Sequence, residues 1–64
     1  MTPQLIAQSP DGEIKMYATM KVNIGESHAY WGYIESNGEK SKNCNLSTVL
    51  SRNSAWQVVN GIEP

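Results

Sequence analysis

Glu13-Ile14-Lys15-Met16-Tyr17-Ala18-Thr19-Met20-Lys21-Val22-Asn23-Ile24 carries the strongest pattern in the chain. Every even position is apolar: Ile14, Met16, Ala18, Met20, Val22 and Ile24. The odd positions are Glu13, Lys15, Tyr17, Thr19, Lys21 and Asn23. Side chains on an extended chain point alternately to opposite faces, so this period of two predicts a long strand with one buried face.

Turn chemistry brackets the strand on both sides. Ser9-Pro10-Asp11-Gly12 precedes it, where Pro presets φ, Asp bonds its own backbone and Gly accepts positive φ. Gly25-Glu26 follows, with glycine at the first central position as a type II′ hairpin requires. The next run, residues 27–36, is rich in strand formers and ends at Asn37-Gly38, a type I′ turn signal.

These turns predict register. A two-residue loop at 25–26 sets Ile24 against Ser27, Val22 against Ala29, Met20 against Trp31 and Ala18 against Tyr33. A two-residue loop at 37–38 sets Glu35 against Lys40 and Trp31 against Cys44. Opposed residues share a face, so the even face of 13–24 would collect Ala29, Trp31, Tyr33, Cys44 and Leu46 as a core. Leu5-Ile6-Ala7 predicts a fourth strand whose parity the Pro-Asp-Gly turn leaves open: either Ile6, or Leu5 and Ala7, face the core.

A sheet with one apolar face must be covered. Leu46, Val49 and Leu50 have helical spacing, Ser47 is a candidate N-cap and Arg52-Asn53-Ser54 a stop. Ala55-Trp56-Gln57-Val58-Val59 then reads either as a last strand at a sheet edge or as a continued helix ending at Asn60-Gly61, and the adjacent valines favour the strand. Trp56 reads as a plug over the sheet. The expected class is α+β: an antiparallel β-meander of three to four strands and one short C-terminal helix, with a final edge strand if residues 55–59 are extended. A small all-β barrel is the rival.

Residues 1–64 make a single small domain. A core this size rarely supplies more than about 3–5 kcal/mol without a disulfide, a metal or a partner. Cys44 is the only cysteine and His28 the only histidine, which excludes an internal disulfide and leaves a zinc site short of ligands. No cofactor is expected, and a homodimer is the expected compensation. No stretch approaches the roughly 20 apolar residues of a membrane span, and no secretory signal is legible. A lone thiol fits a reducing, cytoplasmic setting. The net charge of −1 argues against a generic polyanion binder.

Catalysis is not expected. The register puts Cys44 on the core face and His28 on the other, where a nucleophile and its base need contact. Asp11 and His28 fall near opposite ends of the long hairpin. Gly25, Gly32 and Gly38 lack phosphate-loop spacing.

The face turned away from the expected core is the candidate site. The register assigns it Tyr17 against Ile34, Lys21 against Tyr30, Asn23 against His28 and Lys15 against Ser36, with Thr19 over Gly32. Exposed aromatic and apolar groups of this kind mark partner surfaces. The expected function is therefore that of a non-enzymatic protein-interaction module, inhibitor- or adaptor-like, binding a protein through Tyr17, Tyr30, Ile34, Lys15, Lys21 and His28. The alternative is a sheet-based nucleic-acid binder, in which aromatics stack bases and lysines hold phosphates. No motif assigns the chain to a family.

Overall fold

The computed structural model describes residues 2–64; Met1 lies outside them. The strands are β1 (Gln4–Gln8), β2 (Lys15–Ile24), β3 (Ser27–Ser36), β4 (Glu39–Lys40), β5 (Cys44–Asn45) and β6 (Gln57–Val58), with helix α1 (Leu46–Arg52) between β5 and β6. They form one antiparallel sheet in the order β4-β3-β2-β1-β6, and β5 pairs with β3 beyond β4. The α+β class, the meander, the short helix and the final edge strand are all present. Among the described residues no helix is long and apolar enough to cross a membrane.

Both hairpin turns have the expected form. Ile24 pairs with Ser27 and Ser36 with Glu39, leaving two-residue loops. Gly25 has φ +61, while Asn37 and Gly38 have φ +54 and +82, as II′ and I′ turns demand. The Ser9–Gly12 turn is closed by Gly12 N–H donating to the Ser9 carbonyl at 2.9 Å. The Ser9 hydroxyl donates to Asp11 Oδ1 at 2.5 Å and accepts from Ile14 N–H at 3.1 Å.

The register departs from expectation inside β2. From Ile24 to Met20 the pairing with β3 is as predicted, ending at Met20 against Trp31. An extra residue, Thr19, then bulges out, and the ladder resumes with Ala18 against Gly32, Tyr17 against Tyr33, Met16 against Ile34 and Lys15 against Glu35. The Thr19 hydroxyl donates to the Trp31 carbonyl at 3.3 Å, holding the bulge. One unpaired residue reverses the faces of everything beyond it. The even positions are thus divided: Met16 and Ala18 face the core, whereas Met20, Val22 and Ile24 face the other way.

Gly32 sits where the bulge draws the two backbones together. A Cβ at this position would lie 1.8 Å from the Tyr17 carbonyl oxygen and 2.8 Å from Ala18 Cα. Only glycine fits.

Two further one-residue shifts occur. In β1 the register slips between Leu5 and Ala7, so Leu5 opposes Tyr17 while Ile6 and Ala7 are both fully buried. Neither parity expected for this strand holds, because the irregularity sends two consecutive residues inward. Across β3, the pairing moves from Glu35 against Lys40 to Gly32 against Cys44 and Trp31 against Asn45. The chain leaves the ladder at 41–43, where Ser41 N–H donates to the Ile34 carbonyl and its hydroxyl accepts from Ile34 N–H.

The core consists of Ile6, Ala7, Met16, Ala18, Leu46 and Val49, with Tyr30, Ile34, Cys44, Leu50, Trp56 and Ile62 packed around it. Helix α1 covers this face with Leu46 and Val49, as its spacing predicted. Its N-cap is Asn45 rather than Ser47: the Asn45 side chain accepts from both the N–H and the hydroxyl of Ser47. Asn53 ends the helix, its side-chain amide and backbone N–H both donating to the Val49 carbonyl. Beyond β6, Asn60 and Gly61 turn with φ +58 and +69 and bring Ile62 onto the core.

Candidate functional site

The face opposite the helix is where the bulges redistribute the candidate residues. In the row nearest the Ser9–Gly12 and Asn37-Gly38 turns, Gln8, Lys15, Glu35 and Lys40 lie side by side across four strands. The next row on this face holds Leu5, Tyr17 and Tyr33. Beyond the bulge come Met20 and Trp31, then Val22 and Ala29, then Ile24 at the hairpin end. None of these apolar residues belongs to the core or its packed surround. Met20 is 48% and Ile24 71% exposed, the two exposed large hydrophobics of the described residues.

Tyr17 and Tyr33 stack with ring centroids 5.6 Å apart and planes at 26°. Lys40 Nζ stands 5.1 Å from the Tyr33 ring centre, within cation–π range. Lys15 Nζ donates to the Gly12 carbonyl at 2.5 Å, which anchors this ammonium at the end of the face. The result is an aromatic and aliphatic surface with a rim of polar and charged groups at one end.

Of the six residues singled out from sequence, only Tyr17 and Lys15 lie on this open face. Tyr30 and Ile34 pack against the core, because the Thr19 bulge exchanges the sides of β3 relative to the lower half of β2. Lys21 and His28 go with Tyr30: the Lys21 ammonium lies 5.6 Å from the Tyr30 ring centre, and His28 meets the same ring edge-on at 5.5 Å. His28 Nε2 also contacts the Glu63 carbonyl at 2.5 Å, so the C-terminal segment crosses this side. His28 therefore shares the Cys44 side of the sheet, contrary to the expected separation. Trp31 and Tyr33, expected in the core, stand on the open face instead, and join Tyr17 there. Gly32 was the available signal, since a glycine inside a strand of β-formers marks a bulge or a close backbone approach.

Among the described residues no group of three or more His, Cys, Asp or Glu could hold a metal ion. The surface hollows are small: about 290 Å³ at the β3–β4 hairpin, lined by Ile34, Asn37, Glu39 and Lys40, and about 70 Å³ beside Ala18, Met20 and Tyr30. Asp11 is electrostatically perturbed by its turn. The Ser9 hydroxyl and then the Glu13 N–H hold its carboxyl below the ordinary range, which serves the turn. No protein-family model, curated protein or solved structure matches the chain.

Proposed function

We propose that this chain is a small, non-enzymatic protein-binding module, inhibitor- or adaptor-like, that works through the open sheet face. Tyr17, Met20, Val22, Trp31 and Tyr33 form the centre of the contact, with Leu5 and Ile24 at its margins and Lys15 and Lys40 on its rim. One observation carries the reading. Opposite a buried core of six residues, the other side of the same sheet leaves Met20 and Ile24 exposed and Leu5, Tyr17, Val22, Trp31 and Tyr33 half-buried, with no element of the described residues packed over them. Apolar surface left in water at this scale is a partner surface in soluble proteins, and rigid amphipathic aromatics supply contact area at small entropic cost. The free Cys44 thiol supports a reducing compartment.

The test is capture by wild type and by a Tyr17→Ala, Tyr33→Ala variant, with nuclease present throughout. The variant should stay folded and lose the captured protein, while a Lys15→Ala, Lys40→Ala variant should retain most of it. Equal capture by the tyrosine variant and wild type would sink the proposal.

A second reading, single-stranded nucleic acid, is supported by the stacked tyrosine pair with a lysine over one ring. It predicts affinity falling with salt at about −0.7 per phosphate contacted. Apolar burial of a protein partner resists the same salt.

A further inference from the structure

We propose that Asn37 is a self-modification site and that Asn60, in a turn of the same form, is not. At Asn37 the Gly38 backbone nitrogen displaces the side-chain amide, and water opens the resulting ring to an aspartyl or isoaspartyl residue. At Asn60 the Leu5 carbonyl holds the amide in place. Nothing in this chemistry depends on what the open face binds.

Two Asn-Gly pairs occur in the chain, and their backbones match. Asn37 and Gly38 have φ +54 and +82, and Asn60 and Gly61 have φ +58 and +69. Each pair fills the two central positions of a tight turn. One lies between the paired residues Ser36 and Glu39. The other lies between Val59 and Ile62, closed by the Ile62 N–H donating to the Val59 carbonyl at 3.3 Å. A Cβ placed on either glycine would meet nothing within 4 Å, so both glycine nitrogens are open to approach. Both asparagines are exposed. What separates the sites is a hydrogen bond. Asn60 Nδ2 donates to the Leu5 carbonyl at 2.8 Å, and the Val59 N–H beside it donates to the Ile6 carbonyl at 3.0 Å, which laces this turn to β1. At the Asn37 hairpin the side-chain bonds are made by Ser41, whose hydroxyl accepts from the Ile34 N–H and donates to the Lys42 carbonyl. The Asn37 amide stands at the open hollow that it lines with Glu39 and Lys40, free to turn toward Gly38.

The reaction balances with water alone. The Gly38 nitrogen gives up its proton and bonds to Asn37 Cγ; the Cγ–Nδ2 bond breaks, and ammonia leaves with that proton. Hydrolysis of the cyclic imide at the side-chain carbonyl yields aspartate. Hydrolysis at the main-chain carbonyl yields isoaspartate, whose backbone runs through Cβ. Ring closure requires the amide carbon to swing onto the glycine nitrogen, and at Asn60 that rotation breaks the bond to Leu5. Either product at position 37 adds a negative charge beside Glu39 and Lys40. The isoaspartyl form also adds a main-chain carbon to the two-residue loop that sets Ser36 against Glu39 and Glu35 against Lys40.

The two rates are measured on the same sample. Native protein is held in warm, mildly alkaline buffer, and at intervals it is digested and read by tandem mass spectrometry for amide-to-acid conversion at each asparagine. Asn37 should convert about five times faster than Asn60 or more, the factor that one net hydrogen bond is worth. In denaturing urea, where the Leu5 bond is gone, the two rates should converge. Equal native rates at the two sites overturn the proposal, as does faster conversion at Asn60. A gap that persists in urea would trace to the flanking residues and overturn the role of the Leu5 carbonyl. An Asn37 that converts in urea and stays an amide in the folded chain would also overturn it, because the turn itself would then block ring closure.

Discussion

The β2–β3 hairpin has two halves that share one sequence pattern and meet opposite fates. In the body, Lys15–Ala18 and Gly32–Glu35 are flanked by β1 on one side and by β4 and β5 on the other, and the helix covers one face. In the arm, Met20–Ile24 and Ser27–Trp31 are paired almost entirely with each other. Alternation runs unbroken through both halves, yet Met16 is fully buried and Ile24 is 71% exposed. The difference lies in Thr19. Apolar periodicity reports that a strand has one apolar face; it does not report which side of the sheet that face joins after an extra residue has been inserted.

The comparison can be broken most directly at the junction. Gly32→Ala would drive a Cβ into backbone atoms of Tyr17 and Ala18 that have no flexible end to move. Overpacking of this kind costs about 1–3 kcal/mol or more, comparable with the whole stability of so small a core. The variant should show no cooperative melt by circular dichroism. A melt like that of wild type would mean that the strands are not so closely apposed at this point.

Next come paired substitutions across the junction, measured at a concentration low enough to keep the chain monomeric. Met16→Ala should cost about 2–5 kcal/mol, as buried large-to-small changes do. Trp31→Ala, on the open face, should cost about 1 kcal/mol, the scale of a cross-strand pair. Tyr30→Ala should be more damaging than Trp31→Ala because its ring packs against the core and takes the Lys21 and His28 contacts. The opposite ranking would restore an unbulged register and the original faces.

Hydrogen exchange sharpens the contrast without mutation. A two-stranded hairpin is marginal on its own, so arm amides that bond across β2 and β3 should exchange through local opening, faster than body amides at Met16 and Ala18. Uniform protection along both strands would show that arm and body open as one unit.

The smallest effect belongs to the turn that launches β2. The Asp11 carboxyl is held below its unfolded value near 3.8, first by the Ser9 hydroxyl and then by the Glu13 N–H. Its contribution to stability is therefore complete above that value and is lost as pH falls from there through the lower, folded value. Asp11→Asn should flatten this part of the stability–pH curve, measured by urea unfolding between pH 5 and pH 2, with little change in which residues are buried. An unchanged acid limb would separate the Ser9–Asp11 bond from stability.

What the amino-acid sequence determined was everything local. Gly25-Glu26 and Asn37-Gly38 set two turns because few other residues tolerate their φ values, and both ladders begin as those turns dictate. Leu46, Val49 and Leu50 marked a helix face and Arg52-Asn53-Ser54 its end, while residues 55–59 favoured a strand over a continued helix and the structure settles it at Gln57–Val58. The upper ladder from Ile24 to Met20 was legible down to individual pairs. The open face was legible only as a fact: such a face exists and carries Tyr17 and Lys15. Which other residues share it was decided by tertiary structure. A turn specifies register only while the ladder stays regular, and an extra residue has no strong local signature. Thr19 is left out of the pairing where Gly32 admits the Tyr17 backbone, while Ile6 and Ala7 are both drawn inward beneath a helix that arrives some forty residues later in the chain. Those contacts are long-range, so their balance appears only when the sheet, the helix and the C-terminal segment are assembled together, and that balance sends Tyr30 and Ile34 to the core and Trp31 and Tyr33 to the open face.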